Sequence, residues 1–183
     1  MTHDPHRAAF EEFVREVADP VRRFLLRRTD RDTADDVLSE TMLVCWRRSD
    51  LLPGPAERLP WAYAIARNCL RNTQRAARRR ARLTARIVAV DPPATSVAAA
   101  DSDHDDGAEH LGAALQALRP DDAEVLRLWA WEELTGEQIA RVLDVSANAA
   151  AIRLHRAKRR LRDQLEKTGA RPGHISSEEG SRR

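Results

Sequence analysis

Apolar residues fall at steps of three and four through the first part of the chain, at Phe10, Phe13, Val14, Val17, Val21, Phe24 and Leu25. That is the helical period. Asp19-Pro20 interrupts the stripe and predicts two helices, with Asp19 as N-cap and Pro20 as first helical residue. A further helix is predicted from about Thr33 to Arg48, with Val37, Leu38, Thr41, Val44 and Cys45 inward. Leu51 to Pro55 holds two prolines and a glycine and reads as a loop. The next helix covers about Glu57 to Arg82, turning Ala62, Ile65, Ala66, Cys69 and Thr73 inward.

Between Asp91 and Glu109 the stripe disappears. Pro92, Pro93, a run of alanines and Asp101, Asp103, Asp105 and Asp106 replace it, with no Lys or Arg. Such a segment reads as a flexible acidic linker. Helical spacing resumes at Leu111, Leu115 and Leu118, restarts at Pro120, and continues through Val125, Leu126, Leu128 and Trp129. Thr135 and Gln138 have capping-box spacing and open a short helix through Ile139, Ala140 and Leu143. A turn at Asp144-Val145-Ser146 follows, with Ser146 as N-cap. The last helix carries Ala150, Leu154, Ala157, Leu161 and Leu165 inward. No alternating β pattern occurs. The expected fold class is all-α: two small helical domains joined by a flexible acidic linker, the C-terminal one a helix-turn-helix.

Composition narrows the function. Of 183 residues 42% are hydrophobic and 33% charged, enough for packed cores. The formal net charge of +2 hides segregation along the chain. No run approaches the roughly 20 apolar residues of a membrane span, and Met1 to Arg7 lacks the apolar stretch of a secretory signal. Cys45 and Cys69 lie in helical patterns, with no histidine at zinc-site spacing. Buried thiols in a cytoplasmic protein are expected, with no metal, no cofactor and no membrane insertion.

Two basic surfaces suggest nucleic acid. Two short helices joined by a tight turn, the second long and basic, form a helix-turn-helix whose second helix enters the major groove. Leu154, Ala157 and Leu161 would pack on the domain. Asn148, Ala149, Ile152, Arg153 and Arg156 would face base edges, thymine methyls and phosphates. Lys158, Arg159, Arg160 and Arg162 would reach backbone phosphates. A solvated amphipathic helix is the plain alternative. Trp129 and Trp131 read as core or helix-packing residues before base-stacking ones.

In the first half, Arg67, Arg71, Arg75, Arg78, Arg79, Arg80, Arg82 and Arg86 occur with no acid among them, a density suited to a polyanion. Trp61, Asn68, Asn72 and Arg75 fall along one flank, and these groups stack on and hydrogen-bond to unpaired bases. Trp61 as a core residue beside surface asparagines also fits.

Together these segments resemble the extracytoplasmic-function branch of the sigma-70 family, over nearly all the chain before about Lys167. Three stretches carry the likeness. Thr33 to Met42 (TADDVLSETM) is similar to the family's acidic helix that docks on polymerase. Leu59 to Asn68 (LPWAYAIARN) is similar to its promoter-melting and −10-reading segment. Glu137 to Ser146 (EQIARVLDVS), with the helix behind it, is similar to its −35-reading motif. The resemblance implies an RNA polymerase sigma factor that directs core polymerase, through its β′ and β subunits, to promoter DNA and aids melting. It implies that Asp35, Asp36 and Glu40 touch polymerase. Trp61, Asn68, Arg71, Asn72 and Arg75 would meet the −10 region, Asn68 lining a pocket for a flipped base. Asn148, Ala149, Ile152, Arg153, Arg156 and Arg160 would meet the −35 duplex. An anti-sigma protein is a further implied partner. The implied domains are residues 1–83 (docking, −10 recognition and melting), 84–108 (linker), 109–167 (−35 recognition) and 168–183 (disordered tail). Ser39, Met42, Asn72 and Ala149-Ala150 depart from the usual pattern, which bears on the promoter sequence more than on the function.

Two other readings compete. An autonomous helix-turn-helix regulator would need neither the acidic helix nor the arginine-rich one. An enzyme using Asp35, Asp36 and Glu40 would need a matching histidine or second carboxylate-rich helix, and neither is present. No catalytic residue is expected.

Overall fold

The computed structural model describes residues 5–87 and 106–167. The linker's central part and the tail lie outside the described residues. Seven α-helices and one 3-10 turn make up the described fold: α1 (Pro5–Leu26), α2 (Arg31–Arg47), the 3-10 turn (Ser49–Leu51), α3 (Pro55–Ile87), α4 (Asp106–Gln116), α5 (Pro120–Ala130), α6 (Gly136–Leu143) and α7 (Ala147–Lys167). Every described element is helical.

Helix α1 corrects one expectation. It runs unbroken through Asp19-Pro20, with Pro20 inside it. Proline removes one backbone donor and costs roughly 3 kcal/mol in a helix interior. Against that stand Phe13, Val17, Val21, Phe24 and Leu25, all fully buried on one face, and burying a large apolar side chain contributes about 1.5–3 kcal/mol. Packing wins. Pro55 is likewise the first residue of α3, not part of the loop before it; proline's fixed φ suits a first helical turn.

Helices α1, α2 and α3 pack on one another, and α4, α5, α6 and α7 assemble around α7. The two groups also touch, because α6 packs against both α3 and α7. Its buried residues Ile139, Ala140, Val142 and Leu143 account for this. They form one broad apolar face on a short helix, wide enough to meet both neighbours. One apolar cluster therefore runs from Phe13, Val37 and Ala66 through Val125, Leu128 and Ile139. A smaller one holds Leu115, Leu118, Ala123, Leu126 and Ala157 under α4.

Candidate polymerase and nucleic-acid interfaces

The acidic helix α2 begins at Asp30, whose carboxylate accepts from the Thr33 backbone N–H at 2.9 Å. Buried Ala34, Val37, Thr41 and Cys45 fix its inner face. The outer face carries the charges, but not uniformly. Asp35 is clamped by the Arg22 guanidinium, Nε to Oδ1 at 2.7 Å and Nη2 to Oδ2 at 3.2 Å. That hydrogen-bonded pairing holds its carboxyl below the usual carboxylate range. Asp36 and Glu40 are exposed, one helical turn apart on one face. Leu43, 56% exposed, continues that face, and Trp46 stands half-exposed against Phe10, ring centroids 4.9 Å apart. Neither residue had a place in the sequence reading, on the core side or at the surface. The signal was their spacing from Asp36 and Glu40.

On α3 the flank of four predicted base-contacting residues divides. Trp61 is half-buried, its ring edge-on to Phe13 at 5.6 Å. The core-packing alternative describes its position. Asn68, Arg71, Asn72 and Arg75 are all exposed and lie within two turns of one another. Beyond Gln74, Arg75, Arg78, Arg79, Arg80 and Arg82 are exposed as well, so this end of the helix is a cationic rod. Arg67 behaves differently. It is half-buried and faces Glu124 of α5 at 4.0 Å; burial pulls its guanidinium below the ordinary value while Glu124 acts in the opposite direction.

The helix-turn-helix forms as its capping pattern predicts. Thr135 and Gln138 complete the reciprocal box, Gln138 N–H donating to Thr135 Oγ1 at 3.3 Å and Thr135 N–H donating to Gln138 Oε1 at 3.0 Å. Asp144 closes α6 in the left-handed conformation at φ 56°, which aspartate tolerates better than most residues. Ser146 Oγ accepts from the Ala149 N–H at 3.2 Å, starting α7. Ala150 and Ala157 are buried, which leaves Asn148, Ile152, Arg153 and Arg156 exposed on the outer face. Ala149 is half-buried. Arg160 is half-buried too and forms an ion pair with Asp122 of α5, a contact that competes with phosphate. Lys158 is also occupied, its Nζ 3.4 Å from the centre of the Trp129 ring. Trp129 and Trp131 are 44% and 42% exposed, so neither is a core residue, and Trp129 takes the helix-packing place of that reading, against Lys158 of α7. Helical period placed Trp129 beside buried Leu128 without telling which side of the stripe it takes.

Cys45 and Cys69 are free and buried. Among the described residues no three His, Cys, Asp or Glu side chains gather as metal ligands, and no helix is long and apolar enough to cross a membrane.

An acidic outer face on α2, a polar and cationic face on α3 and an exposed recognition helix thus occur in one chain. Residues 13–80 match sigma-70 region 2, and residues 108–161 match sigma-70 region 4. The RNA polymerase sigma factor CarQ of Myxococcus xanthus is 32% identical over 164 residues, 88% of this chain and 92% of the relative. The chain belongs to the sigma-70 family. The RNA polymerase sigma-E factor of Streptomyces avermitilis is 32% identical over 158 residues, covering 86% of this chain and 85% of that one. In fold, this sigma factor is similar to RpoE of Bartonella quintana, solved in complex with the anti-sigma factor NepR (TM-score 0.62, 23% identity, 86% of this chain and 96% of that one). It is also similar to CnrH, solved with the cytosolic domain of CnrY (TM-score 0.54, 24% identity, 88% and 90%). It is a sigma factor of the extracytoplasmic-function type, which directs core RNA polymerase to promoter DNA for initiation.

Proposed function

We propose that this sigma factor acts as a cytoplasmic, non-catalytic specificity subunit whose roles divide among three surfaces. Asp36 and Glu40, with Asp35 held in place by Arg22, face core polymerase. Asn68, Arg71, Asn72 and Arg75 take the unpaired −10 bases and their backbone, with Trp61 as the packed support of that surface. Asn148, Ala149, Ile152, Arg153 and Arg156 read the −35 duplex, and Arg160 joins them after release from Asp122. Residues 1–83 form the docking and melting domain, 109–167 the −35 domain and 84–108 the connection between them, which begins with the last turn of α3 and ends with the first of α4. An anti-sigma protein is a fitting regulator, as RpoE and CnrH were each solved with a partner chain.

One observation carries this reading: Asn68 and Asn72 stand exposed beside Arg71 and Arg75. Phosphate binding alone needs only cations; amides add hydrogen bonds that suit base edges. The test is run-off transcription with purified core polymerase, coupled to separate measurement of closed and open complexes. Asn68→Ala is expected to reduce open-complex formation, where a few kcal/mol per flipped base must be offset, more than closed-complex binding. Equal loss in both would remove the base-pocket role. DNA binding that ignores core polymerase would favour an autonomous regulator.

A further inference from the structure

Helix α7 exposes a large apolar side chain in the middle of the face that meets DNA. Asn148, Ile152 and Arg156 recur at steps of four, all exposed, so they follow one another along one face, a turn apart. Ile152 is 42% exposed. The face that holds α7 to its neighbours is the opposite one. Ala150 and Ala157 are its buried residues, and they lie roughly 140–160° round the helix from Ile152 at 3.6 residues per turn. Packing of the domain does not call for isoleucine at this place.

The surroundings narrow what Ile152 can meet. Ala149, one turn before it, is half-buried and too short to reach past it, and Arg153, Arg156 and Arg159 are exposed beside and beyond it. The cations fit a polyanion, whose phosphates line both sides of a groove. Within the major groove of duplex DNA the bases present donors and acceptors and one apolar group, the C5-methyl of thymine. Pressed against the cytosine amino group or the purine edges, an aliphatic side chain would strip water from polar atoms and return no hydrogen bond. Against the methyl it loses nothing and buries apolar surface on both sides.

We propose that Ile152 is a specificity-determining residue, which reads the methyl group of a thymine in the −35 duplex. The inference rests on the reading of α7 as the −35 helix and adds a base to it. Four residues of helix advance about 6 Å, less than two base-pair steps of about 3.4 Å. The thymine therefore falls within about two pairs of those that Asn148 and Arg156 approach, and the matches of an amide and a guanidinium are adenine and guanine.

Base analogues test it. Holoenzyme, made from the full chain and purified core polymerase, first selects promoters from a pool randomised over the −35 element. In a selected promoter each thymine is then replaced in turn by deoxyuridine, which keeps the hydrogen-bonding groups and removes the methyl. For at least one thymine, holoenzyme binding is expected to weaken roughly fourfold, the effect of one buried methyl group. Ile152→Ala holoenzyme is expected to bind the thymine and uracil promoters alike at that position. Alanine at an exposed helical place favours the helix, so this variant folds, and Ile152→Val, with its two methyls, retains part of the difference. A parent indifferent to uracil, a selected element without thymine, or an Ile152→Ala holoenzyme that still distinguishes the two bases would overturn the methyl contact while a −35 preference remained. A pool from which no −35 sequence is enriched would overturn the reading of α7 itself, and this inference with it.

Discussion

Cys45 shows how far one buried side chain can depart from its behaviour in water. Burial, with the neighbouring Cys69 second, pushes its thiol up to about 12. An unfolded thiol ionises near about 8.5, so the native state binds the extra proton between these values. The corresponding stability is complete below about pH 8.5 and is lost as pH rises through the folded value. Urea midpoints measured from pH 8 to pH 11 are expected to fall, and to fall less steeply in Cys45→Ala. Native protein is expected to resist iodoacetamide, because the reactive species is the thiolate; rapid native alkylation at Cys45 would contradict the burial. At Asp35 the sign is opposite. Its carboxyl is held down chiefly by the Arg22 hydrogen bond, so the pair's contribution is complete above the ordinary carboxylate pKa and is lost as pH falls through the lowered one. Titration of the Asp35 carboxyl by NMR is expected to move upward in Arg22→Ala. An unchanged midpoint would mean that the clamp is absent in solution.

Helix α3 carries the most legible chemistry of any element. Its arginines could be counted in the sequence, and Arg75, Arg78, Arg79 and Arg82 recur at steps that keep them on one face. Replacing Arg75, Arg78 and Arg82 by Gln keeps good helix formers and removes three charges. The slope of log K against log salt for holoenzyme on promoter DNA is then expected to shrink by about 2–3, at 0.7–0.9 per lost phosphate contact. An unchanged slope would show that the rod points away from DNA. Elsewhere the sequence revealed less. The helix-turn-helix was legible because capping is local: Thr135, Gln138 and Ser146 signal helix starts whatever packs around them. Pro20 was misleading because its local cost is outweighed by a buried face whose worth depends on distant α2 and α3. Trp129 and Trp131 were left between core and helix packing, and Leu43 and Trp46 unassigned, since a period gives a stripe and not its width. Arg160 and Lys158 looked available for phosphate because Asp122 and Trp129, the groups that engage them, come from another helix.

At the scale of the whole molecule, the sequence pointed to two cores and the structure has a cluster that crosses between them. Ile139 is a sensitive probe of this difference. It is fully buried in α6, the helix that packs on both α3 and α7. Truncating a buried isoleucine to alanine costs about 2–5 kcal/mol, the amount depending on how far the surroundings collapse into the cavity. If regions 2 and 4 were independent bodies, the whole of that loss would remain in α4 to α7. With a shared cluster it is divided: region 4 loses internal packing, and α3 loses a face that its neighbour had kept dry. Amide hydrogen exchange resolves the two cases, because protection reports the opening free energy of each segment separately. Ile139→Ala is expected to speed exchange in α3 from Trp61 to Leu70 as well as in α5 and α6, and to leave α2 less affected. Full protection of α3 beside a loosened α6 would place the boundary of cooperativity at the seam itself, and the apolar contact across it would then contribute nothing to holding the regions together.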